Sequence, residues 1–398
     1  MDISGGNAVT SGRINGAMPA VLFLTAVFFV NYTDRAILGP LLVHMERSLN
    51  LDHVQATSLL LFLSTGFSCG LLSSGFVTAS VAPRKIVAFS AIGSGIMLLC
   101  ISRAHSLWEV RLFFALLGFV SGTYMPAAMA TLGSLVLPAN WSTAVAVHEL
   151  SPAVSFIFSP LLAETIATYK GWQSAMVVMG VLSIAMGTLF LLFGKGGREK
   201  TERPSAGGIA AALKTPVFWV FIWLFALAVG GEFAPYSVLP LSLTSEQGLG
   251  SMEASQLLSL SRVASPFVVL LGGVAAARLG VVRAIFLFLA VHGIALMAMA
   301  LPASLVGKPG LLAAMACQSM TTAFAFPALF ALLARAFPIG QQAMLLSLSL
   351  PVATYLGGGM VPMLLGVCGE YLSFATGYFL FGLLCLATIP SLRLCKNV

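Results

Sequence analysis

Few side chains in this sequence can do charge-based chemistry, and they stand out because their surroundings are apolar. Inside the apolar stretches the ionisable set is Asp34 and Arg35, His148 and Glu149, Glu232 and Arg262. An ionised group there must find a partner or a wet cavity, because leaving water uncompensated is costly. Arg35 is the strongest anion anchor. Its guanidinium forms bidentate pairs with carboxylate or phosphate and stays charged. Its other reading is a structural bridge to a protein acid. Asp34 is adjacent, but neighbouring helical residues point about 100° apart, so the two need not pair. Asp34 reads as a proton carrier or as a packing bond to another helix. Arg262 either shares an anion with Arg35 or pairs with Glu232, a short hairpin away.

The remaining candidates follow the same logic. His148-Glu149 begins a His-Glu-x-x-His zinc pattern, but the fifth position is Pro152, so no metal is expected. The pair reads as cavity lining, with His148 touching substrate and Glu149 carrying a proton. Glu232 follows Gly230-Gly231, which permit bending or close packing beside a buried acid. It reads as a proton site or a packing group. Tyr32, Tyr124, Gln318 and Tyr355 are polar groups in apolar runs, and each reads as a substrate contact or as a satisfied packing residue. No nucleophile motif accompanies them, so no enzyme and no cofactor are expected.

The elements that must hold these residues are membrane helices. Hydrophobic residues make up 59% of the 398 positions and charged ones 8%, about a third of the share in a soluble protein. This excludes a soluble enzyme, a disordered chain and a nucleic-acid binder. Twelve apolar runs can be drawn, at 18–42, 55–78, 86–102, 108–134, 142–166, 173–194, 216–241, 254–277, 284–302, 310–333, 341–366 and 371–392. A spanning helix needs about 20 apolar residues, so the runs consume nearly the whole chain. The six cysteines form no CxxC pair and read as small apolar residues. The first 17 residues are polar without the pattern of a cleaved signal, so the first run is expected to stay as a helix.

Topology follows from Lys and Arg in the loops. With the N-terminus cytoplasmic, 13 of them fall on the inner side and 5 on the outer. The inner set includes Arg84, Lys85, Arg278, Arg283 and the linker residues Lys195, Arg198, Lys200, Arg203 and Lys214. The basic balance is this topology signal. A multi-pass plasma membrane protein, of the bacterial inner-membrane kind, with both termini cytoplasmic is expected. The chain divides into a tail (1–17), a six-helix bundle (18–194), a linker (195–215) and a second bundle (216–398). The bundles repeat with an offset near 200 residues: Pro40-Leu41 with Glu46 matches Pro240-Leu241 with Glu246, and Pro126-Ala127 matches Pro327-Ala328. Two parallel repeats place a substrate site at the midplane between them.

Twelve spans, a basic central linker and this duplication resemble the major facilitator superfamily, over essentially the whole chain from Met18. The fold class implied is all-α integral membrane, twelve helices in two pseudo-symmetric halves. The superfamily loop after helix 2, Gly-x-x-x-Asp-Arg-x-Gly-x-Arg-Arg, is similar to Gly75 through Arg84-Lys85, with Ala79 at the acidic position, Ser80 at the basic one and Ala82 at the second glycine. Its copy after helix 8 runs from Gly273 through Arg278 and Gly280 to Arg283, again with alanine, Ala277, for the acid. The resemblance implies gating roles for these loops, without the acidic clamp. Asn31-Tyr32-Thr33-Asp34-Arg35 resembles a helix-1 segment of the anion:cation symporter branch. In helix 4, Phe114 and Ser121 stand where that branch has Arg and Glu. The segment Ser159-Pro160-Leu-Leu-Ala163-Glu164 lacks the glycines of an antiporter motif. The function expected is a monomeric secondary transporter. It moves a small organic anion, of carboxylate or sugar-acid type, by proton-coupled symport. The alternative is a proton-coupled exporter of a drug-like, lipid-like or siderophore-like compound.

Overall fold

The computed structural model describes residues 16–199, 214–269, 278–337 and 339–395. Among these, eleven helices are long and apolar enough to cross a membrane. We number them with the shorter eighth in chain order: α1 Met18–Leu49, α2 His53–Ser80, α3 Pro83–Ile101, α4 Leu107–Leu135, α5 Pro138–Lys170, α6 Trp172–Phe193, α7 Pro216–Ser245, α8 Ser251–Arg262, α9 Val281–Met299, α10 Ala303–Ala336, α11 Leu345–Tyr371 and α12 Phe374–Cys395. Helical backbone follows α8 at 265–269 before the chain leaves the described residues, so the span expected at 254–277 is described only as far as 269. A helix is the required answer in hydrocarbon, since it alone satisfies every backbone group within one segment. Phe76, Leu192, Phe193, Phe267 and Ile294 are exposed on the outside of the bundle, where lipid makes apolar surface favourable.

Helix ends are written locally. Asp52 and Gln55 close a reciprocal capping box at the start of α2, and Ser106 and Glu109 do the same for α4. Gly171, at φ +80°, and Gly280, at φ +85°, turn the chain into α6 and α9. Three spans are broken near functional positions: α1 at Ile37, α4 at Thr123 and α5 at Glu149. A π-turn covers Thr354–Met360 in α11.

Small residues set the packing. A Cβ on Gly66 of α2 would lie 1.8 Å from the Ala115 carbonyl oxygen of α4, so these helices touch backbone to backbone. Gly95 of α3 meets Gly180 of α6, and Gly293 of α9 meets Gly382 of α12, each pair through a carbonyl less than a Cβ contact away. These two pairs are related by the repeat offset read from the sequence. The halves meet where α2 packs on α11, α5 on α8 and the second part of α1 on α7. At the end of the bundle away from the chain termini, the far end, this seam is closed. A Cβ on Gly39 would lie 2.6 Å from Ser237 Cα, and the Ser259 hydroxyl of α8 donates to the Ile157 carbonyl of α5.

Candidate functional site

Arg35 is the last side chain of α1 but one before the break at Ile37. Its guanidinium carbon lies 4.8 Å from the centre of the Tyr32 ring, one turn back, and 4.5 Å from that of Phe67 on α2. Among the described residues no ion pair or hydrogen bond is formed by Arg35, and its buried Nε has no partner. The structural-bridge reading therefore finds no acid here. Rings against the guanidinium face hold the cation by cation–π attraction and leave its N–H edges as the groups for an acceptor.

A line of rings runs from Arg35 across the seam. Tyr32 stands edge-on to Phe156 of α5 at 5.3 Å. Phe156 in turn meets Phe233 at 5.7 Å and Tyr236 at 4.3 Å, both on α7. Arg262 of α8 lies over Phe156 and Tyr236, 5.3 Å from each ring centre. The two arginines expected from opposite halves thus bracket one aromatic cluster built from both halves.

Of the two readings of Arg262, the structure forms the pair with Glu232. Arg262 Nη1 donates to Glu232 Oε1 at 2.7 Å, and Nη2 reaches the Glu232 carbonyl at 3.4 Å. The second carboxylate oxygen accepts from the Thr322 hydroxyl of α10 at 2.5 Å. Gln318, one turn earlier on α10, donates to the Gly231 carbonyl at 2.6 Å, beside the acid rather than on the ring cluster. Arg262 is 1% exposed; both Glu232 oxygens and two of its own nitrogens are bonded, as a buried pair needs, while its Nε has no partner among the described residues.

The second cluster lies nearer the termini. His148, fully buried, stacks on Phe28 of α1 at 4.3 Å, and Phe28 stacks on Tyr124 of α4 at 5.0 Å. His148 Nδ1 donates to Glu149 Oε1 at 3.2 Å, and its Nε2 lies 3.3 Å from the Tyr124 hydroxyl, which donates to the Leu24 carbonyl at 3.2 Å. Glu149, at the break in α5, is one-third exposed. Asp34 is elsewhere: fully buried, it accepts from Ser183 of α6 at 2.6 Å, and its Oδ1 has no partner. Asp34 and Arg35 do not form an ion pair, as the helical angle between them implied. Tyr355 is on the π-turn, more than one-third exposed, and no described contact brings it to the rings.

The signature loop holds its half together by a different bond from the missing acidic clamp. Arg84 Nη2 donates to the Leu191 carbonyl at the end of α6 at 2.8 Å, where the helix dipole favours a cation. The Arg84 amide donates to Gly197 at 3.0 Å, and the Gly197 amide to the Ser134 hydroxyl at 2.7 Å. Gly75 is half-buried, while Lys85, Arg278 and Arg283 are exposed. Gly280 caps α9, and Gly273 lies outside the described residues. Sequence reasoning missed Phe67, Phe156, Phe233 and Thr322. Three of them are among 28 phenylalanines and carried no signal. Thr322, four residues after Gln318, was a polar group on the same helix face.

A family model described as Major Facilitator Superfamily matches residues 24–362. The chain belongs to the Major Facilitator Superfamily. Two curated relatives from strains of Mycobacterium tuberculosis, both called probable nitrate/nitrite transporter NarK2, are 22% identical over 246 residues, which is 61% of this chain and 62% of theirs. The matched part thus spans about three-fifths of these relatives. Among solved structures, a bacterial homologue of the human lysosomal transporter Spinster, in an inward-facing and occupied conformation, superposes with a TM-score of 0.78 at 15% identity, over 97% of this chain and 98% of that one. The nucleoside transporter NupG gives a TM-score of 0.80 at 14% identity, over 95% and 100%. These similarities give the fold. Like its family, this chain is a membrane transporter, not an enzyme.

Proposed function

We propose that this transporter moves a small organic anion of carboxylate type by alternating access, with a proton carried in symport. The observation that supports this reading is Arg35: a guanidinium held against the rings of Tyr32 and Phe67, without an acid partner among the described residues, at the seam between the halves. Its N–H edges suit a planar oxyanion that accepts two parallel bonds. The relatives named for nitrate and nitrite, also planar oxyanions, support the same shape of ligand, and nitrate belongs in the test. Arg262 is the second anion contact. It serves when an anion replaces the Glu232 carboxylate, which then takes the proton or keeps its bond to Thr322. Glu149, one-third exposed and bonded to His148, is a second proton site. Asp34, buried on Ser183, is a third. Tyr32, Tyr124 and His148 line the path; Gln318 and Tyr355 are the outlying contacts.

The test is uptake by proteoliposomes under an inward proton gradient, with labelled organic acids and nitrate offered in parallel. Uptake of a carboxylate is expected to be lost in Arg35→Ala and cut more than tenfold in Arg35→Lys, since an ammonium cannot offer the bidentate edge. If Arg35→Ala transports the identified substrate at the wild-type rate, the anion site is not here. Uptake that ignores the proton gradient overturns the coupling.

A further inference from the structure

A polar pocket inside the first bundle is used neither by the ring cluster nor by the seam. It lies where α1 packs on α3 and α6. Asn31 and Asp34, both 0% exposed, stand three residues apart on α1, which makes them neighbours on one helix face. Asn31 Nδ2 reaches the Ser90 and Ser94 hydroxyls of α3, each at 3.4 Å. Ser90 donates its own proton to the Val120 carbonyl of α4 at 2.9 Å, so toward Asn31 its oxygen can only accept. That sets the amide with its nitrogen toward α3 and its oxygen turned away. Asn31 Oδ1 is buried and has no partner among the described residues. Asp34 repeats the pattern. Ser183 of α6 donates to its Oδ2 at 2.6 Å, while Oδ1 is buried without a partner among the described residues.

Two neighbouring buried acceptors without donors are costly, and a carboxylate in a dry site needs a proton or a counter-charge. Arg35 is the ionisable group that acts on Asp34, but its guanidinium is turned to Tyr32 and Phe67. The groups that α3, α4 and α6 bring are the hydroxyls of Ser90, Ser94, Ser121 and Ser183, with Ser94 and Ser121 3.0 Å apart. A proton would neutralise the acid. A bare cation would neutralise it and use both free oxygens as ligands. Carboxylate, amide carbonyl and hydroxyl oxygens are the donor set that hard cations take. One carboxylate balances one positive charge, whereas a divalent ion would add net charge in hydrocarbon beside Arg35. Ser94 adjoins Gly95, and Ser183 lies one turn after Gly180, at the point where α3 and α6 touch backbone to backbone. Packing this close suits a small ion.

We infer that Asn31 Oδ1 and Asp34 Oδ1 are ligands of a sodium ion held inside the first bundle between α1, α3 and α6. Ser183 is a positioning residue, since its bond to Oδ2 aims Oδ1 at the ion. Sodium and a proton compete for the same carboxylate, so sodium is a second coupling cation beside the proton proposed for Asp34. The inference rests on Asp34 as an ion-exchanging group. It does not rest on Arg35 or on the identity of the anion.

Binding of radioactive sodium to the purified full-length protein tests the site without a transport substrate. In alkaline buffer the wild type is expected to retain a single ion per chain, displaced by unlabelled sodium and not by potassium. Retention should fall as the buffer is acidified. Asp34→Asn should lose it. Ser183→Ala should weaken the affinity about ten- to hundredfold, the scale of a lost partner to a metal ligand, and Asn31→Ala at least as much. Sodium should also raise the melting temperature of the wild type above that in choline at equal ionic strength, and leave Asp34→Asn unmoved. The melts in choline show which variants are folded, and if Asn31→Ala is not, Ser183→Ala carries the test. Retention that survives Asp34→Asn, or that ignores acidification, overturns the site, and so does a wild type that retains no sodium. Uptake that follows the proton gradient while the wild type retains none sinks the sodium and keeps the proton symport. Sodium retained by the wild type and lost in Asp34→Asn, with uptake that ignores the proton gradient, does the reverse.

Discussion

Arg262 and Glu232 show how much depends on single buried atoms. Removing Arg262 strands a carboxylate that is otherwise held by Nη1 at 2.7 Å and by Thr322. Breaking such a pair costs about 3–5 kcal/mol, so Arg262→Ala should unfold well below the wild type in a thermal melt. The double variant Arg262→Ala with Glu232→Gln should recover part of that loss, because no charge is then left buried. Arg35→Ala should melt close to the wild type, since Arg35 has ring contacts but no ion pair among the described residues. That contrast separates an arginine without an acid partner from one that has it. The sequence marked both arginines for the same reason, the expense of a charge in an apolar run. It left open which of them had a partner, because a partner is defined by distance across helices and not by spacing along one.

Backbone contact governs the elements. Gly66 leaves 1.8 Å for a Cβ against the Ala115 carbonyl, so Gly66→Ala must force α2 and α4 apart. We expect a loss of about 1–3 kcal/mol, the usual cost of overpacking, read as a lower melting temperature in detergent. Gly133, also in α4, has only the Trp141 ring at 3.5 Å, and Gly133→Ala should be neutral or stabilising by up to about 1 kcal/mol. Apolar runs in the sequence placed the spans well. They did not show where a span breaks, at Ile37, Thr123 and Glu149, because composition stays apolar through the break. Gly357-Gly358-Gly359 fall in the irregular part of α11. Gly357 there has the Ala226 carbonyl of α7 at 2.3 Å from a Cβ, and Gly359 has Ser64 of α2 at 2.9 Å, so the π-turn lets one helix touch both halves of the seam.

Orientation belongs to the whole molecule. The 13 to 5 split of Lys and Arg between the two sides predicts that both termini, and the near end with them, face the cytoplasm. A cysteine introduced by Tyr169→Cys, 78% exposed at the far end of α5, should react with a membrane-impermeant maleimide in intact cells, while a C-terminal fluorescent fusion glows inside. Labelling only after the cells are broken would reverse the topology.

The sequence by itself determined the class of solvent, the helical fold, the duplication and the short set of charges worth suspecting. Each of these follows from local composition or from spacing along the chain, and lipid enforces them one segment at a time. Tertiary structure decided the pairings. It gave Arg262 to Glu232, left Arg35 to its rings, put Asp34 on Ser183, and brought Phe156 and Phe233 between the arginines. It also put Glu164 on Ser251 and Glu370 on the His53 amide, both across the seam. Bonds between helices depend on how two rods are turned and set in depth. That is fixed by glycine contacts and side-chain volumes summed over both rods, which no periodicity along either one records.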